Sequence, residues 1–225
     1  MKPWEVLGSA ITPDGSSMQL MRHDGHYVIH VDGYDLMTSY SHGSEDVMMS
    51  LACPKPRPGA RILIGGLGMG YTLAATLELL PIDGSVLVSE ILPEVVEWNR
   101  GPLGPLAGYP LDDPRTDLAV GDVSDILRSG KTCFDAILLD VDNGVDSFML
   151  ARNSWIYTPD GLRTIQRSLR PGGALAIWSV NSGKELERRL RSAGFIASVH
   201  SVRGRGNRGG HYSIFVGRMS KERSK

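Results

Sequence analysis

The chain has 225 residues, of which 41% are hydrophobic and 22% charged, and a formal charge of -1 at pH 7. That length suits one Rossmann-sized α/β domain with a small extra element, and the charge balance supplies no field to hold nucleic acid or an anionic membrane, which leaves a small molecule as the expected partner. Cys53 and Cys133 stand far apart without metal-type spacing, so neither a disulfide framework nor a zinc site is expected, as fits a reducing cytoplasm.

The first residues, Met1-Lys2-Pro3-Trp4-Glu5, lack the apolar core of a leader, and no apolar run approaches the roughly 18 residues that span a bilayer. A soluble, cytoplasmic protein is expected. Residues Met18 to Thr38 alternate and break at Asp24-Gly25 and Asp32-Gly33, dipeptides that favour tight hairpin turns. Ser44 to Ala52 has helical spacing, and Pro54, Pro56 and Pro58 then interrupt the chain. This predicts a β-hairpin region with its helix over 1–53 and a Rossmann-like catalytic domain over 54–225.

Beyond the prolines, short apolar runs alternate with amphipathic segments. Arg61 to Ile64, Val86 to Ser89, Asp117 to Val120, Ala136 to Leu139 and Ala174 to Trp178 read as buried strands, and Tyr71 to Leu80 and Gly161 to Leu169 as helices. Such alternation implies a parallel sheet with right-handed crossovers. Phe195 to Val202 and His211 to Val216 have no helix between them and are expected to pair as an antiparallel hairpin. The fold class is therefore α/β, Rossmann-like and mostly parallel, with an antiparallel ending and a small β-rich piece in front. The arginines at 203, 205 and 208 invite an RNA reading, which the neutral overall charge disfavours.

Four strand ends carry candidate chemistry. Gly65-Gly66-Leu67-Gly68-Met69-Gly70 follows a strand and opens a helix, so Gly65, Gly66, Gly68 and Gly70 let the backbone turn and approach a ligand at a helix N-terminus. Glu90, followed by Ile91, ends the second strand, where a carboxylate can accept both ribose hydroxyls of a nucleoside. Gly121-Asp122-Val123 follows the third strand; Asp122 can accept from an adenine amine or cap the next helix. Asp140 ends Phe134–Leu139 at the carboxyl edge of the sheet, where open α/β sheets bind ligands, and a carboxylate buried there needs a partner or a cationic ligand.

These motifs resemble the spermidine synthase (polyamine aminopropyltransferase) family within the class I S-adenosylmethionine-dependent methyltransferase superfamily, from about Val28 to Gly217. Leu169-Arg170-Pro171-Gly172-Gly173-Ala174 looks like the turn before the fifth strand of that superfamily. The resemblance implies an adenosyl-sulfonium pocket and allows for a homodimer. It also shows departures. The family's glycine loop usually carries an Asp that helps hold the donor amine, and Gly68 stands in its place. Leu36 aligns with a usual Gln, and Gly43-Ser44-Glu45 with a usual Tyr-His-Glu. Asp140-Val141-Asp142-Asn143-Gly144 replaces a motif whose second Asp becomes Asn143.

A diamine acceptor is a dication, and its burial needs compensating charge. Because several acids and amides of that role are absent, the sequence favours methyl transfer from S-adenosylmethionine to a small-molecule acceptor, with Asp140 or Asp142 holding the acceptor or taking its proton. The alternative is aminopropyl transfer from decarboxylated S-adenosylmethionine; a third reading is a non-catalytic adenosyl-binding or dimerisation module. His42, Glu45 and Asn143 are candidate substrate contacts, and no metal is expected. A tight acidic cleft beside Asp140 would favour the polyamine enzyme, and an apolar or mixed one the methyltransferase.

Overall fold

A computed structural model describes residues 3–130, 133–140, 154–180, 184–206 and 208–220. The N-terminal strands β1 (Glu5–Ile11), β2 (Ser17–His23), β3 (His26–Val31) and β4 (Tyr34–Thr38) form a four-stranded antiparallel sheet in chain order. The turns fall where Asp-Gly pairs predict them, with φ of 46° and 81° at Asp24 and Gly25 and 48° and 86° at Asp32 and Gly33. Two successive left-handed residues are what a two-residue turn needs to match strand twist. The first strand, β1, lies outside the alternation read from the sequence.

Helix α1 (Gly43–Ala52) then leads into β5 (Arg61–Gly65), α2 (Tyr71–Leu79), β6 (Ser85–Glu90), α3 (Pro93–Arg100) and α4 (Gly104–Ala107). After these come β7 (Thr116–Val120), α5 (Val123–Arg128), β8 (Phe134–Leu139), α6 (Pro159–Ser168), β9 (Leu169–Ser179), α7 (Lys184–Ser192), β10 (Ile196–Arg205) and β11 (Arg208–Arg218). Seven strands form one sheet in the order β10-β11-β9-β8-β5-β6-β7. From β9 to β7 the pairs are parallel, while β11 runs antiparallel to both β9 and β10, as the uninterrupted C-terminal hairpin predicts. Helix α6 begins two residues earlier than its periodicity suggests, because Thr158 caps it by accepting from the Gly161 amide. The turn Arg170–Gly173 leaves the β8–β9 ladder between Leu169 and Ala174.

Side chains alternate between the two faces of the sheet, and each face has its own core. Ile62, Ile64, Leu138 and Ala176 pack with α1, α2, α3 and the N-terminal sheet, whereas Leu63, Ile137, Leu139 and Ile177 pack with α5, α6 and α7. Asp135 ties the proline-rich joint to the sheet, accepting from Arg57 Nε at 2.7 Å and from the Arg61 amide at 2.9 Å. Helix α1 packs against α2 and against β9, β10 and β11. Its last carbonyls, on Leu51 and Ala52, accept from the Arg218 guanidinium at 2.7 and 2.8 Å. No helix among the described residues is long and apolar enough to cross a membrane.

Candidate active site

The strand order reverses at β5, since β6 and β7 lie on one side of it and β8 on the other. Such a switch point opens a crevice at the carboxyl ends of the strands. Backbone bonds knit those ends together: Gly66 N to Ser89 O at 2.8 Å, Gly121 N to Glu90 O at 2.7 Å, and Asp140 N to Gly65 O at 2.9 Å. The glycine loop, Glu90, Gly121-Asp122 and Asp140 thus share one edge, as the four strand ends predict.

Glu90 is buried, and both its oxygens are engaged. Oε2 accepts from the Leu67 amide and Oε1 from the Leu92 amide, each at 2.9 Å. Burial raises its pKa and these amide bonds oppose the shift. An ionised carboxylate retains further acceptor sites, so the glycine loop and a ligand can use it together. Ile91 is half-buried beside it. Asp122 Oδ1 caps α5 by accepting from the Ser124 amide at 2.8 Å, and Val123 is buried in the first turn.

Asn99 of α3 has no motif to announce it, yet its side-chain amide donates to the carbonyl of Gly68 at 2.8 Å. A β-carbon at Gly70 would lie 2.8 Å from Asn99 Oδ1, so the close packing of α3 on the loop requires a glycine there.

Beside the loop is a narrow cleft, partly open to solvent. Asp140 and Glu45 line it together, one from the end of β8 and the other from the first turn of α1. Asp140 is 9% exposed and accepts from Thr72 Oγ1 at 3.1 Å. Burial, and next the charge of Glu45, raise its pKa from 3.8 to about 7, while the Thr72 bond pulls the other way. The Glu45 pKa is also raised, by burial, against a hydrogen bond from the Ser44 hydroxyl. Met37, Leu67 and Met69 supply an apolar wall, and Tyr71 and Thr72 a polar one. The Tyr71 pKa is pushed up to about 12 by burial and by the nearby carboxylates of Asp46 and Glu45.

His42 is not among the residues lining this cleft. Its ring stacks on Tyr71 at 3.9 Å between centroids, and Nδ1 meets the Asp46 carboxylate at 2.8 Å. Asp142 and Asn143 lie outside the described residues. Sequence reasoning missed Met37, Tyr71, Thr72 and Asn99. Thr72 alone had a local signal, a hydroxyl in the first turn after the glycine loop.

No protein-family model matches the chain. Polyamine aminopropyltransferases of Saccharolobus islandicus and Nitrosomonas europaea are similar in sequence. They are 26% identical over 132 residues and 32% over 120, covering 59% and 53% of this chain. Those matches span 42% and 35% of the relatives' own lengths. A protein-L-isoaspartate O-methyltransferase of Methanopyrus kandleri also matches, 29% identical over 154 residues, 64% of this chain and 59% of its own length. The spermidine synthase of Thermotoga maritima superposes with a TM-score of 0.74 over 96% of this chain and 74% of its own, at 19% identity. The chain has the spermidine synthase fold.

That likeness takes in nearly the whole chain, which includes both the N-terminal sheet and the C-terminal hairpin. Together with the two aminopropyltransferase relatives it corrects the expectation of methyl transfer from S-adenosylmethionine. The physical reason lies in the cleft. The missing family acids suggested a site too poor in negative charge for amines, but folding brings Glu45 of the spermidine synthase-like N-terminal piece to the cleft of Asp140.

Proposed function

We propose that the protein is an aminopropyltransferase that uses decarboxylated S-adenosylmethionine as donor and an amine as acceptor. The observation that carries this reading is the shared cleft of Glu45 and Asp140, in which no lining side chain among the described residues is basic. Burial raises both carboxylates, and the charge of Glu45 raises Asp140 further; a cation stabilises them in their ionised form. Gly65 to Gly70, Glu90 with Ile91, and Gly121 to Val123 would hold the adenosyl group, with Glu90 on the ribose and Asp122 on the adenine amine.

The donor supplies an electrophilic carbon beside a sulfonium: the amine nitrogen forms a bond to it, the carbon–sulfur bond breaks, and its electron pair leaves on sulfur in methylthioadenosine. Asp140, near neutrality in its pKa, takes the proton that the acceptor nitrogen loses. Thr72 orients the Asp140 carboxylate, and Glu45 holds the ammonium form of an amine on entry. Asp142 and Asn143 follow Asp140 in sequence and are proposed as further acceptor contacts.

The test is incubation of the purified protein with decarboxylated S-adenosylmethionine and a panel of amines, followed by chromatography for methylthioadenosine. Formation that needs both substrates and is lost in Asp140→Asn is expected. If no amine yields methylthioadenosine, the proposal fails.

A further inference from the structure

Helix α1, which carries Glu45 in its first turn, meets the C-terminal hairpin at both of its ends. At the far end Arg218 of β11 reaches the carbonyls of Leu51 and Ala52. At the near end the contact is between backbones. A β-carbon at Gly43, the first residue of α1, would lie 2.8 Å from the Arg203 carbonyl oxygen and 3.2 Å from that of Gly204. A β-carbon at Gly204 would overlap Ser41 Oγ and lie 2.8 Å from Tyr212 Cε2.

Neither glycine has a positive φ, so it is the close approach, and not the backbone conformation, that requires them. At the start of a helix alanine is ordinarily an improvement on glycine, yet here its methyl group would strike a carbonyl. On the other side, the β10–β11 ladder shifts register between Arg203 and Arg205. Buried Gly204 thus sits at a bulge, where a strand bends and a second backbone can come near.

Glu45 follows Gly43 by two residues, so the seat of this first turn fixes where its carboxylate stands in the cleft it shares with Asp140. We propose that Gly43 and Gly204 are positioning residues for the amine: the backbone of the C-terminal hairpin is the stop against which α1 sets Glu45 relative to Asp140. This inference rests on the reading of the cleft as the amine site of aminopropyl transfer.

Gly43→Ala is compared with the wild type by methylthioadenosine release from decarboxylated S-adenosylmethionine, with putrescine, cadaverine and butylamine in turn, across pH and at varied concentrations of each substrate. The added methyl group meets backbone, so the first turn of α1 must shift. The amine KM is expected to rise about tenfold, the scale of loss from a small misplacement of a binding group, while the donor KM stays unchanged. The rising limb of the pH–rate profile, which carries the influence of Glu45 on Asp140, is displaced from its wild-type position. A merely structural contact would lower the Tm and move neither. Gly204→Ala meets side chains in place of backbone and gives a smaller change of the same kind, part of which Ser41→Ala restores by removing the overlapped hydroxyl; this pair decides the matter if Gly43→Ala does not fold. An unchanged amine KM or an unchanged pH–rate profile in the folded variants, or failure of both glycine variants to fold, overturns the inference and leaves aminopropyl transfer standing. Absence of methylthioadenosine from the wild type with all three amines instead overturns the underlying reading.

Discussion

Asn99 donates its side-chain amide to the carbonyl oxygens of Gly68 and Val95, at 2.8 and 2.9 Å, so that α3 holds the crest of the glycine loop. Because Asn99 is buried, a residue that cannot donate leaves the Gly68 carbonyl without this partner. Asn99→Leu is expected to cost about 1–3 kcal/mol of stability, the range for an unsatisfied buried polar group. It should also raise the KM of the donor. Thermal unfolding and donor titration check the two effects separately.

Glu90 joins the same loop to the end of β6 through the amides of Leu67 and Leu92. Glu90→Ala is expected to weaken donor binding by about 1–3 kcal/mol, as for charged hydrogen bonds. Since those bonds exist without ligand, the variant should also unfold at lower temperature before any donor is added. Calorimetric titration beside a melting curve makes the comparison, and a loss of affinity with unchanged stability would contradict the loop-holding role.

The pKa of Asp140, raised from 3.8 to about 7, has opposite effects on stability and on turnover. Between those values the folded protein holds a proton that the unfolded chain has released, so this residue's contribution to stability falls as pH rises through that window. Asp140→Asn removes this dependence. Its Tm should fall less than that of the wild type between pH 5 and pH 8, roughly the span over which a group so shifted titrates. Turnover by the wild type should rise over the same interval, as the proton acceptor ionises, and in Asp140→Asn it should drop far more than donor affinity.

Glu45 contributes to that raised pKa through its charge. In Glu45→Gln the rising limb of the pH–rate profile should therefore move to lower pH. The KM for the amine should increase by about tenfold or more, the loss expected when a charged hydrogen bond is removed. Initial rates across pH at saturating and at limiting amine separate the two effects.

Arg218, at the end of β11, closes the C-terminus of the helix that carries Glu45. Arg218→Met retains much of the side chain's apolar length but loses the bonds to Leu51 and Ala52 and the favourable charge at the helix end. A destabilisation of about 1–3 kcal/mol is expected, as for hydrogen bonds to a charged group. A smaller rise in amine KM should accompany it as α1 loosens. Denaturant unfolding measures the first effect and steady-state kinetics the second.

The order of strands and helices, the Asp-Gly turns of the N-terminal sheet, the antiparallel ending and the edge shared by the glycine loop, Glu90, Asp122 and Asp140 were all legible in the amino-acid sequence. Each depends on local periodicity or on a short motif whose backbone demand is specific. Strand β1 was not, because Glu5 to Ile11 lacks clean alternation: Val6 and Ile11 are exposed apolar residues. Glu45 and Asp140 were candidates from the sequence, but their neighbours were hidden for a different reason. Met37 meets Gly68 across two sheets and Asn99 reaches the loop from α3, so their places arise from tertiary packing. The acidity of the site was decided the same way. Counting acids along the chain suggested a loss of negative charge, whereas folding α1 over the sheet places two carboxylates in one cleft, where burial raises the pKa of both and the charge of Glu45 raises that of Asp140 further.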